Sequence, residues 1–412
     1  MPRSRITGCI SSDEMITINK ELHIEPRFDF TLLAPKERIV FFDIETTGLR
    51  AGKASIYLIG TVSWEGGQWI LRQFFAENLF EEEEVLAAFF SLLNEKKRLG
   101  RVFLVSYNGD GFDIPFIRSC IQQYHLPYEF TGTYSIDLLK KVRPVKGLLG
   151  LDDCRLKTVE RFCGVCREDR YSGGELIYVY EEYMRLKSLD PESCESTPLN
   201  SRLMDRLLET LLLHNAEDIM DMPLIMDVMG YDYLRSGEYV VTSSRITEDN
   251  VWDIHARLCT AVPRGIYSET PAYTLSIGEE DPLELNLAVP VYDGELKYFF
   301  VDYKNYYYLP AEDYAIHKSV GSYVDRAARR QATARTCYQK KRGRFVPQPA
   351  PVFTPLFYQE YKGVPYGELP KPAGSAAGTD AEKEGKGQTW TEETEIDHAL
   401  TKKYIAAVIE NI

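Results

Sequence analysis

Three short stretches hold residue types suited to metal-ion chemistry. Asp43-Ile44-Glu45 closes the apolar run Arg38-Ile39-Val40-Phe41-Phe42. Residues i and i+2 of a strand point to one face, so the two carboxylates project together. Crowded carboxylates at the end of a buried strand repel, a penalty that a divalent cation removes. The spacing alone fits a solvated strand end equally well. Thr46-Thr47-Gly48 follows, a tight turn whose backbone donors could hold a phosphate or a sugar. The second stretch, Asn108-Gly109-Asp110-Gly111-Phe112-Asp113, follows the strand-like Val102 to Ser106. Its glycines let the backbone approach a ligand. Asp113 falls near a helix start, where an Asp also serves as an ordinary N-cap, and taken alone the cap is favoured. The third stretch is His214-Asn215-Ala216-Glu217-Asp218. On a helix His214 stands over Asp218, as any exposed pair at that spacing would. Asp221 is a rival on nearly the same face, but Pro223 starts a new helical segment that gives Asp221 a role of its own, and Asp218 ranks first.

The elements that must position these residues are legible in the hydrophobic pattern. Residues 38–75 read as three strands, with Glu65-Gly66-Gly67 as a hairpin turn between Ile56 to Trp64 and Gln68 to Phe75. Val85, Leu86, Phe89, Phe90 and Leu93 recur at helical spacing, Ile114 to Tyr124 is a second helix and Ser135 to Leu139 a short last strand. Leu156 to Met229 is almost wholly helical. A meander, then alternating α and β elements, then helices is an α/β order.

The character changes around residues 231–250. Leu283 to Pro310 reads as strands with a turn at Asp293-Gly294, and its tyrosines suit a packed sheet better than a recognition platform. Ile316 to Thr336 is helix-like, 370–394 reads as a disordered linker, and Glu395 to Ile409 as a closing amphipathic helix. The expected division is an N-terminal extension (1–37), a catalytic domain (38–232), a C-terminal α+β domain (233–369), the linker (370–394) and a terminal helix (395–412).

Phe42 to Leu49 resembles the first exonuclease motif of the DEDD family, Asn108 through Asp113 the second, and His214 to Asp218 the third, in the same order and with wide separation. Within that superfamily the chain looks closest to the YprB-type ribonuclease H-like group, to which Leu156 to Glu160 and residues 167–174 contribute. The resemblance spans roughly residues 38–230. It implies a ribonuclease H-like α/β fold with a mixed five-stranded sheet flanked by helices, and a 3′→5′ exonuclease acting on single-stranded DNA or RNA ends. Asp43, Glu45, Asp113 and Asp218 would hold two divalent cations, Mg²⁺ or Mn²⁺ in view of the oxygen ligands. His214 would orient or deprotonate the attacking water, Asn108 the scissile phosphate, and Thr46, Thr47 and Leu49 the terminal nucleotide. Known subtypes place a Tyr four residues, or a His five residues, before the last Asp; here a His holds the Tyr-type position. A structure-selective endonuclease, a hybrid-cleaving ribonuclease or a catalytically silent nucleic-acid-binding adaptor are the alternatives.

Composition bounds this reading. A chain of 412 residues is expected to form two compact units, and 44% apolar with 27% charged residues is a soluble globular balance. No apolar run reaches the roughly 18–20 residues of a membrane span, and Met1 to Lys20 lacks the apolar core of a secretory signal. Eight scattered cysteines fit reduced thiols in a cytoplasm, and Cys163-Gly164-Val165-Cys166 without a second pair reads as small thiols buried at a helix end rather than a zinc site. The net charge of −14 lowers the expectation of a tight sequence-specific DNA binder without excluding a metal-bridged nuclease. Against it, residues 318–344 hold nine Lys or Arg and one acid, with Tyr323, Tyr338 and Phe345 interleaved. Arg329, Arg330, Lys341 and Arg342 are thus candidates for a strand-binding groove, or equally for a solvated basic face.

Overall fold

The computed structural model describes residues 15–167, 171, 173–189, 197–370 and 394–412. The chain divides into two compact units, Met1–Asp232 and Tyr233–Ile412.

The first runs β1 (Ile16–Leu22), β2 (Ile39–Thr46), β3 (Ile56–Glu65), β4 (Gln68–Phe75), α1 (Glu82–Lys97), β5 (Val102–Ser106), α2 (Asp113–Gln123) and β6 (Thr133–Asp137). Helices α3 (Leu138–Val142), α4 (Leu156–Phe162), α5 (Gly173–Lys187), α6 (Pro198–Met220), α7 (Met222–Ile225) and α8 (Met229–Arg235) follow. The strand order is β1-β4-β3-β2-β5-β6. β5 runs parallel to β2 and β6 parallel to β5, and the other pairs are antiparallel. The expected mixed sheet is therefore present but has six strands, not five. Ile16–Leu22, within the supposed extension, pairs along β4 from Ile16↔Phe75 to Leu22↔Trp69. As a mostly half-buried edge strand it has only a weak apolar alternation to announce it.

β2 is buried on both faces because helices cover both. Phe42 meets Phe89 of α1, ring centroids 5.6 Å apart. The two-residue period then turns Phe41, Asp43 and Glu45 to the opposite face, and α6 crosses β2, β3 and β4. Gly66 and Gly67 have φ of 58° and 89°, the left-handed pair that a two-residue hairpin demands.

The second unit is β-rich. β7 (Tyr239–Ile246), β8 (Val251–Leu258), β9 (Ile266–Glu269), β10 (Thr274–Ile277) and β11 (Glu284–Pro290) precede β12 (Tyr292–Phe299), β13 (Tyr306–Leu309) and β14 (Tyr314–His317). Then come α9 (Lys318–Gly321), β15 (Arg330–Gln331), β16 (Tyr338–Pro347), β17 (Tyr366–Glu368), β18 (Thr394–Glu395) and α10 (His398–Glu410). The sheets are ordered β18-β7-β8-β11-β10-β9, β12-β16-β17 and β14-β13-β15. α10 packs on β7, burying Tyr404 against Trp252 at 4.8 Å between centroids.

Two expectations fail here. Asp293-Gly294 makes no turn; it lies inside β12, paired with Arg344 and Gly343 of β16. Ile316 to Thr336 is helical only over Lys318–Gly321 and Arg326–Ala328, because Tyr307 and Tyr308 of β13 draw Gln331 and Arg330 into a sheet. Pairing overrides the helix propensity of the Ala and Arg residues. The tyrosines pack as a core. Phe300 stacks on Tyr306 at 4.6 Å, and Tyr303, Tyr306 and Tyr308 cover buried Ala315, Ala332 and Cys337. Of the expected linker, 371–393 lie outside the described residues, as do 168–170 and 172 of the 167–174 stretch.

Candidate active site

β2 delivers Glu45 buried and Asp43 partly buried, and its pairing with β3 shifts register between Glu45 and Thr46. Asp113 reaches the same place from α2. It is the first residue of the helix rather than its cap, and Oδ1 accepts the Ile44 N–H at 3.1 Å. The helix start is thereby tied to the backbone between the two β2 carboxylates. The preceding turn is shaped by Asn108, whose φ of 69° suits its short polar side chain. Its N–H donates to Asp137 Oδ1 at 2.9 Å.

The third group comes from α6. His214 is buried, with Nε2 at 3.7 Å from Glu45 Oε1 and 3.5 Å from Asp218 Oδ2. One ligand atom each from Glu45, His214 and Asp218 lie within 4.8 Å of one another. Asp221 falls instead at the junction of α6 and α7. Asn215, quoted in the motif without a role, is fully buried, and Nδ2 donates to Asp43 Oδ2 at 3.3 Å. Gln73 Nε2 holds Asn215 Oδ1 at 3.0 Å and the Leu212 carbonyl at 2.8 Å, so β4 fixes the rotation of α6.

α6 comes this close because residue 60, opposite Asp43 in the register, is glycine. A Cβ there would lie 2.1 Å from Asn215 Oδ1 and 2.5 Å from Ile219 Cδ1. Gly60→Ala is expected to cost roughly 1–3 kcal/mol, the usual range for overpacking, and to displace His214 and Asp218 from β2. Thermal unfolding and activity measured together check this: an alanine variant of unchanged stability and rate refutes it. A glycine inside an otherwise apolar strand was the available sequence signal.

Desolvation pushes the Asp43 carboxyl well above its ordinary range, and the charges of Asp113, Asp218 and Glu45 push it further. Desolvation also carries Asp113 to about 7, against the hydrogen bonds from its own N–H and Ile44, with Asp137 and Asp218 adding to the rise. Mutually repelling oxygens beside one imidazole suit a hard divalent cation, which would remove the repulsion. The near protein cation is Arg167, whose Nη1 donates to Asp218 Oδ1 and whose remaining fork grips Glu160. Neither Arg167 nor Glu160 was assigned a site role from sequence, because nothing in the spacing brings them to Asp218.

The other expected residues are placed as follows. Thr46 Oγ1 donates to the Gly48 carbonyl at 2.8 Å, and Thr47 Oγ1 accepts the Ser55 N–H at 2.9 Å, so both hydroxyls shape the turn itself. Leu49 beside them is 80% exposed, and Asn108 is exposed. Arg329, Arg330, Lys341 and Arg342 belong to the second unit, spread over two of its sheets and the connection leading into one of them. Arg329 lies over the Tyr307 ring and bonds the Gly321 carbonyl. Arg330 is on β15, and Lys341 and Arg342 are on β16 of another sheet. Lys341 pairs with Glu368 at 2.5 Å, Lys340 with Asp313 at 2.6 Å and Arg344 with Asp293 at 3.3 Å, so much of the local charge is answered. Cys163 is half-buried and Cys166 exposed, not the buried thiols expected, because both flank the reversal that ends α4 at Gly164 rather than lying on a packed helix face.

Residues 40–230 match the family model described as RNase_H superfamily. No curated protein matches the chain. Among solved structures, E. coli exonuclease I in complex with an oligonucleotide is 16% identical, over 42% of this chain and 44% of that one, with a TM-score of 0.25. A zinc-bound form of the E. coli ExoI–ssDNA complex is 14% identical over 58% and 54%, also with a TM-score of 0.25. The chain spans about half the length of these structures. No helix among the described residues is long and apolar enough to cross a membrane.

Proposed function

We propose, on the premise that residues 40–230 form an RNase H superfamily domain, that the chain is a divalent-metal-dependent 3′→5′ exonuclease of single-stranded nucleic acid. One observation carries the reading: Asp43, Glu45, Asp113 and Asp218, from three elements distant in sequence, share one electrostatic site. These four carboxylates would hold Mg²⁺ or Mn²⁺. Such ions, when bound, activate water and offset charge on the phosphate and the departing oxygen.

The chain's own groups do the rest. His214, between Glu45 and Asp218, is placed to orient the attacking water or take its proton. Asn215 holds Asp43, and the Ile44 N–H holds Asp113. The turn held by Thr46 and Thr47 presents Leu49 to the terminal base, and Asn108 at the neighbouring turn would position the scissile phosphate. Membership of the YprB-type group and a cytoplasmic setting belong to the same proposal, the latter in keeping with the free cysteines among the described residues.

The test is a time course on end-labelled DNA and RNA strands with Mg²⁺, Mn²⁺ or chelator. Stepwise loss of mononucleotides from the 3′ end is expected, abolished by chelator. Internal cuts would make the chain an endonuclease, and binding without cleavage an adaptor.

The basic residues of the second unit enter the proposal as strand contacts, with Arg330 and Arg342 the two taken for the test because both are exposed. Replacing both by alanine should lower the slope of log affinity against log salt by roughly 1.4, at about 0.7 per single-strand phosphate contact. A slope unchanged from wild type removes the groove from the reading.

A further inference from the structure

Arg167 stands just past α4, where Gly164 at φ 82° reverses the chain and the Val165 N–H closes on the Glu160 carbonyl at 2.8 Å. That turn folds Arg167 back over Glu160. The guanidinium grips the Glu160 carboxylate through Nε and Nη2, and Nη1 reaches Asp218 Oδ1. The Arg167 and Glu160 side chains are only 7% and 2% exposed. Asp218 thus has its two oxygens divided: Oδ1 on Arg167, Oδ2 toward His214.

We propose that Arg167, aimed by Glu160, is a positioning residue that holds Asp218 with one oxygen committed and the other presented to the metal. The inference rests on the nuclease reading above. A two-point fork fixes a guanidinium in plane and direction, which an ammonium does not. A buried ion pair is seldom a net source of stability, since desolvation offsets its attraction. Orientation of the Asp218 carboxylate is the function such a pair can supply here, and partners outside the ligands commonly play that part in metal sites.

The rival is a plain counter-charge, and it predicts the opposite sign. Removing a cation from beside a metal site relieves repulsion and tightens cation binding. Removing a positioning group weakens it. The measurements are calorimetric titration of the metal-free chain with Mn²⁺ and steady-state cleavage of an oligonucleotide, on wild type, Arg167→Gln, Arg167→Lys, Glu160→Gln and the Gln/Gln double variant, with thermal unfolding to confirm that each folds.

Arg167→Gln is expected to weaken Mn²⁺ binding and lower kcat by about 10–100-fold each, with KM little changed. Arg167→Lys recovers little of either. Glu160→Gln shows the same defect in weaker form, and the double variant is no worse than Arg167→Gln, as one device demands. Mn²⁺ binding by Arg167→Gln as tight as wild type or tighter, full recovery with Lys, or additive losses in the double variant would each overturn the proposal. If wild type takes up no Mn²⁺ and cleaves nothing, the nuclease reading fails and takes this inference with it. If wild type binds Mn²⁺ and Arg167→Gln binds it equally, this inference alone fails.

Discussion

If the proposed function holds, Asp43→Asn and Asp218→Ala are each expected to reduce degradation of an end-labelled strand to background while leaving the chain folded. Losses around a metal's ligands but outside them commonly reach about 10–100-fold, so loss of a ligand itself is expected to exceed about 100-fold. Asn suits residue 43 because its carbonyl can still accept the Asn215 amide now 3.3 Å from Oδ2, so the β2–α6 contact survives while the charge goes. The same change should raise the stability of the metal-free protein, since it removes a member of a repelling set. Activity falls while the melting temperature rises, an opposition typical of functional sites. Wild-type rates in both variants would end the metal-site assignment.

The second large effect couples pH, metal and stability. Desolvation and neighbouring carboxylates raise Asp43 well above its ordinary range and carry Asp113 from 3.8 to about 7. A raised carboxyl pKa means that the folded chain holds protons the unfolded chain has released. The stability this confers is fully present below the unfolded pKa and is lost as pH climbs through the folded one. In chelator the unfolding midpoint should therefore fall between about pH 5 and about pH 8. Burial also raises Glu160 and Asp227, which add to the same loss, whereas lowered carboxylates act below that window. Glu65, raised by burial but lowered more by its bonds to Arg72 and Ser63, sits at about 2. Mn²⁺ binds the ionised site, so it should raise the midpoint by several degrees near pH 8 and by little near pH 5. An equal rise at both would refute the coupling.

Legibility from sequence followed the range of the interactions. Asp43 and Glu45 were readable because strand period alone puts them on one face, and His214 over Asp218 because helix period does. The central strands announced themselves through continuous apolar runs buried on both sides. The edge strand β1 did not, being half-exposed and separated in sequence from its partner β4. The helix expected at Ile316 to Thr336 was lost to a pairing with β13 that local propensity cannot register. Asn215, Gln73 and Gly60 escaped for a related reason: their roles exist only where α6 lies against β3 and β4. That Asp113 bonds the Ile44 N–H rather than capping its own helix is likewise a tertiary fact.

The segment of family resemblance starts at residue 40, but β4 is flanked by Ile16–Leu22, and Phe30 in the connection packs on Trp69 at 5.3 Å. A chain trimmed to the family boundary would bare the outer row of β4 amides and carbonyls together with the indole of Trp69, which is otherwise 1% exposed. Such a rim recruits further copies by strand addition. Anyone isolating the first unit for biochemistry should keep residue 16 onward, or expect aggregates where a monomer was intended.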